Sequence, residues 1–132
     1  MTLHRKLNVH ELMQLARDSR AITRDCACAI ENYREWTRIP ADFPEQQLNI
    51  VGTLADDPYV EATYAEHHPA GTHYWSPDAP LALRHFPCNR CSVQQCGLCG
   101  RACLRYVEAG GYYVEPRVRA LDPELIVDPP VV

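Results

Sequence analysis

Lysine is nearly missing from this chain. Lys6 is the only one, and arginine supplies the rest of 13 basic residues, against 17 acids. With a net charge of -4 and no lysine-rich arm, the composition argues against strong long-range attraction to nucleic acid. Long hydrophobic runs are also missing, so no stretch has the apolar length of a membrane span. Residues 1–10 lack the apolar core of a secretory signal, so the expected setting is soluble and cytoplasmic. Glycine is scarce, at 6 residues, and none builds a phosphate-cradling loop or a nucleophile elbow. No catalytic set is legible, and the expectation is a protein that is not an enzyme.

What is present suits one domain of 132 residues in three zones. Residues 1–39 read as helical. Asn8 with Glu11 three positions later forms an N-terminal capping pair. Leu12, Leu15, Ala16, Ser19, Ile22, Cys26, Ala29, Ile30 and Tyr33 then recur at helical spacing. With no glycine or proline before Pro40, the pattern predicts a long amphipathic helix over about 9–36. Cys26 and Cys28 would then lie about 200° apart around the axis, by the ~3.6 residues per turn of a helix. On that reading their thiols diverge, and Cys26 is a small hydrophobe of the apolar stripe.

Residues 40–87 are acidic and rich in proline; residues 39–83 carry seven acids and no base. Residues 48–54 read as a strand, with a turn at Ala55-Asp56-Asp57-Pro58 and a return strand or short helix over 59–64. The last zone, 88–132, holds a cysteine cluster, a hairpin and a tail. Alternation of Ala102, Leu104 and Tyr106 with Cys103, Arg105 and Val107 predicts one strand, Tyr112 to Val118 its partner, and residues 125–127 a final short one. The fold expected is α+β: a long N-terminal helix packed on a small antiparallel sheet.

The chemistry concentrates in Cys88-Asn-Arg-Cys91, four residues, then Cys96-Gly-Leu-Cys99-Gly100. Seven cysteines cannot form a complete disulfide set, and five of them crowd between 88 and 103. In a reducing compartment that pattern reads as metal binding. A two-residue spacer lets a tight turn present both sulfurs to one ion, and glycine after Cys99 permits a positive φ. The expected ligands are Cys88, Cys91, Cys96 and Cys99. Pro87 makes Cys88 the weakest of them, with Cys103, His85 or His68 as substitutes; His67 and His73 are further histidines able to fold back. Zinc is the expected ion, because it takes tetrahedral sulfur and nitrogen ligands; an iron–sulfur cluster is the rival.

Cys96 to Cys99 followed directly by a hairpin resembles the knuckle-and-hairpin half of zinc-ribbon proteins. The resemblance spans Cys96 to Val118 and concerns a class of metal site rather than one family. It departs from the ribbon pattern in its short spacer, Ser92 to Gln95. Four arginines and no acid occupy residues 84–107. They are expected to offset the negative charge of a zinc–thiolate centre, with phosphate contact as the competing role. Together these features suggest a small zinc-binding protein whose partner is another protein. A nucleic-acid-binding regulator is the alternative, and a redox or metal-dependent enzyme or sensor the third reading. No membrane partner is expected.

Overall fold

A computed structural model describes residues 4–56, 61–109 and 112–131. Among these residues one α-helix, α1, spans Val9–Arg20. Seven strands follow: β1 Thr37–Arg38, β2 Leu48–Thr53, β3 Leu81–Ala82, β4 Ser92–Cys96, β5 Ala102–Ala109, β6 Val114–Ala120 and β7 Ile126–Val127. Five strands form one antiparallel sheet in the order β1-β6-β5-β4-β2, and β3 pairs with β7 in parallel. The α+β class read from the sequence is the class found. No helix among the described residues is long and apolar enough to cross a membrane.

The helix begins as its cap predicts: the Asn8 side chain accepts from the Glu11 N–H, and Glu11 reaches back to the Asn8 N–H. It stops far short of residue 36. Ala21 and Ile22 close it by donating to the Arg17 and Ser19 carbonyls. Beyond them Thr23 and Asp25 are poor helix formers, and residues 23–36 run as turns with one 3-10 turn at Ile30–Asn32. The amphipathic spacing persists without a helix because Ile22, Cys28 and Ile30 are drawn to a different surface.

That surface is the second face of the sheet. Leu12 and Ala16 of α1 bury with Val93, Ala102, Leu104 and Tyr106 on the first face. Cys28, Ile30 and Phe43 fold over the other, against Cys96, Cys99, Cys103 and Val118. The strand alternation of period two thus gives each face its own core. The expected hairpin is present, but its return strand runs over Val114–Ala120 rather than Tyr112 to Val118, with Leu104 opposite Arg119 and Tyr106 opposite Arg117. The turn glycines Gly110 and Gly111 lie outside the described residues, as do 57–60 of the expected turn and return strand; residues 61–66 form no strand or helix.

One close approach ties the N-terminal segment to the sheet edge. Thr53 donates its N–H to the Arg5 carbonyl and accepts from the Leu7 N–H. A Cβ at Gly52 would stand 2.6 Å from the Leu7 side chain, so only glycine allows that contact.

Candidate metal centre

The tight turn Cys96-Gly97-Leu98-Cys99-Gly100 joins β4 to β5. Gly100 has φ of 92°, the left-handed conformation foreseen for it. Its N–H donates to the Cys96 carbonyl, and the Gly97 N–H to the Gln47 carbonyl, so the turn is pinned from inside and outside. Both sulfurs face the second core.

The partners of this turn come from the other end of the sequence. Cys26, Cys28, Cys96 and Cys99 place their sulfurs all within 4.8 Å of one another. Cys26 Sγ lies 3.7 Å from Cys96 Sγ, and Cys28 Sγ 3.6 Å from Cys99 Sγ. The four form a cluster able to hold a metal ion. Cys28, Cys96 and Cys99 are buried and Cys26 is half-buried, so the cluster sits just under the surface.

The divergence expected of Cys26 and Cys28 is therefore overturned. They sit in a turn rather than a helix, so two-residue spacing no longer imposes about 200° of rotation. Ala29, next to Cys28, has φ of 52°, a left-handed residue without glycine's freedom. That kink directs the chain back under the sheet immediately after the thiol.

The expected set Cys88, Cys91, Cys96 and Cys99 is not the set brought together. The short spacer Ser92 to Gln95 belongs to strand β4. Five extended steps separate Cys91 from Cys96 by roughly 16 Å, at ~3.3 Å per residue, too far for one ion. Cys88 and Cys91 are buried instead among the apolar side chains of the first face. Cys88 opens a 3-10 turn, and the Cys91 thiol donates to the Pro87 carbonyl at 3.3 Å. Nor do the named substitutes join the four. Cys103 shares their apolar cluster without being one of them. His85 is buried with its ring against His67, and His68 is engaged at both nitrogens, by Thr72 and Glu66.

Electrostatics single out one thiol of the cluster, Cys96. Burial opposes ionisation of Cys96, but the N–H groups of Cys99 and Leu98 and the thiols of Cys26 and Cys99 overcome it, bringing Cys96 down to about 7. Burial dominates at Cys28 and holds its thiol well above the usual range. It pushes Cys88 up to about 12, despite the Arg119 charge nearby, and raises Cys91 strongly. A metal ligand must be a thiolate, and at Cys96 the N–H groups of the Cys96–Cys99 turn outweigh burial, whereas at Cys28 and Cys88 the backbone donors present do not. The protonated thiols of Cys26 and Cys96 donate instead to the Gln47 Oε1, at 3.8 and 3.7 Å.

Of the four arginines expected at the site, one is there. The Arg101 N–H donates to Cys99 Sγ at 3.4 Å, while its guanidinium meets the Ile22 carbonyl and Glu31. Arg84 pairs with Asp128. Arg90 donates to the Ala62 carbonyl and stacks 4.1 Å over Tyr64. Arg105 grips Glu45 through both terminal nitrogens at 2.7 Å.

No family model matches this chain, and no curated protein or solved structure matches it. The cluster thus stands on its geometry alone. The sequence pointed to one half of it. The signal for the other half was the C-x-C pair itself, masked by a helical periodicity that two core surfaces produced between them.

Proposed function

We propose that the chain is a cytoplasmic zinc protein in which one structural ion, held by Cys26, Cys28, Cys96 and Cys99, locks the 22–43 segment onto the sheet. The observation that carries this reading is the convergence of four sulfurs from two segments about seventy residues apart. Tetrahedral zinc with ~2.3 Å bonds sets its sulfurs about 3.8 Å apart. The contacts of 3.6 and 3.7 Å suit that figure. An iron–sulfur cluster would need a wider cage, because its inorganic core stands between the cysteines. A site with four thiolates is closed, which fits a structural role better than a catalytic one. Arg101, beside Cys99, would offset part of the net negative charge of the loaded centre.

The protein would then serve as an interaction module. Val107, Tyr112, Tyr113 and Val114 stand exposed around the far end of the β5–β6 hairpin, an apolar surface of the kind partners cover. Nucleic acid is the weaker reading, since Arg84, Arg90 and Arg105 are each spent on partners within the chain. Elemental analysis of the purified protein tests the metal: one zinc per chain is expected, and a fully folded protein recovered without metal would overturn it.

A further inference from the structure

A cleft of about 420 Å³ opens between the C-terminal end of α1 and the end of β6. It is lined by the apolar Ile22, Ile30 and Leu121 and by the charged Arg20, Arg34, Arg101, Glu31 and Asp122. The size lies within the ordinary range of small-molecule sites. One positive charge is left over among these five side chains. Its distribution is uneven: Arg20 is shared between Asp122 and Glu124, whereas Arg34 makes no ion pair or hydrogen bond among the described residues.

Arg101 supplies the second observation. Its side chain is 7 % exposed, and its Nη1 is buried with no hydrogen-bond partner among the described residues. A buried guanidinium donor left unpaired is costly, because its hydration is lost without replacement. The carbonyls that would repel an anion at this helix end are partly neutralised, since Arg17 and Ser19 accept from Ala21 and Ile22. The Ser19 hydroxyl, which accepts the Ala102 N–H at 2.9 Å, keeps its own proton to donate.

We propose that this cleft is a binding site for a small organic oxyanion, a carboxylate or a phosphate monoester with a compact apolar body. Arg34 and Arg101 bind the anionic head, and Ile22, Ile30 and Leu121 cover the body. Planar guanidinium groups suit such heads because they offer paired donors. The site is separate from the four thiols, although Arg101 belongs to the wall between them.

The test titrates the full chain with benzoate, phenyl phosphate, inorganic phosphate and benzylamine, following amide and methyl NMR shifts, with zinc content measured in the same sample. Saturable shifts at Ile22, Ile30 and Leu121 with benzoate or phenyl phosphate, and none with benzylamine, are expected. The better of the two anions identifies the head group. Arg34→Ala should weaken binding about ten-fold, the loss of a charged hydrogen-bonding partner, with zinc content unchanged. No saturable binding by either organic anion, equal binding of benzylamine, or an unaltered affinity in Arg34→Ala would each overturn the proposal. Anion binding by a chain that holds no zinc would leave it standing and defeat the metal assignment instead.

Discussion

Two CxxC steps four residues apart, with the same spacing and opposite fates, divide this protein. Cys88 and Cys91 end in the first-face core, packed by Leu54, Leu83 and Val93 and far from ionising. Cys96 and Cys99 end on the second face, in a turn whose N–H groups point at the sulfur, with Cys26 and Cys28 opposite. The motif is identical; the backbone that carries it is not. The first pair rides a 3-10 turn into a strand, and the second closes a hairpin through a left-handed glycine. A two-residue spacer therefore shows that two thiols can meet an ion, while the surrounding field decides whether they do.

The largest expected effect separates the pairs directly. Serine at Cys28, Cys96 or Cys99 should abolish zinc retention and unfold the second-face core, since metal binding supplies folding free energy of order 10 kcal/mol in small sites. Elemental analysis and thermal unfolding of each variant would show it. Serine at Cys88 or Cys91 should leave zinc at one per chain. It should cost about 1–3 kcal/mol, the burden of a hydroxyl buried among apolar side chains, read by denaturant unfolding. Zinc loss in Cys91→Ser with Cys28→Ser unaffected would invert the comparison.

Smaller effects sharpen it. Arg101→Gln removes the cation beside Cys99 and should weaken zinc about ten-fold in competition with a chelator, the scale of outer partners at metal sites. Arg105→Gln should leave zinc affinity unchanged, because that guanidinium is committed to Glu45. The smallest effect belongs to Ala29. Its left-handed backbone costs about 1 kcal/mol or more for a residue with a Cβ. Ala29→Gly should raise stability by a few tenths of a kcal/mol, after the entropy that glycine adds to the unfolded chain. A lower melting temperature in that variant would show that the Ala29 methyl packs usefully against the thiol core.

Much of this was legible locally. The Asn8–Glu11 cap, the β5–β6 alternation, the β2 strand and the turn glycine after Cys99 each depend on a few neighbouring residues, whose sterics and hydrogen bonds act at short range. The turn at Cys96–Cys99 belongs to the same class, since its geometry is set within five residues. By itself, the sequence determined an α+β chain with thiols arranged for a metal. Tertiary structure alone decided which thiols. It ended α1 at Arg20, because the segment after it gains more by covering the second face of the sheet than by extending a helix with one apolar stripe. It also stretched Ser92–Gln95 into β4 by pairing them with β2 and β5. Those two choices carried Cys91 away from Cys96 and brought Cys26 and Cys28 to it. Neither could be read from spacing, because each is set by contacts between residues far apart in the chain.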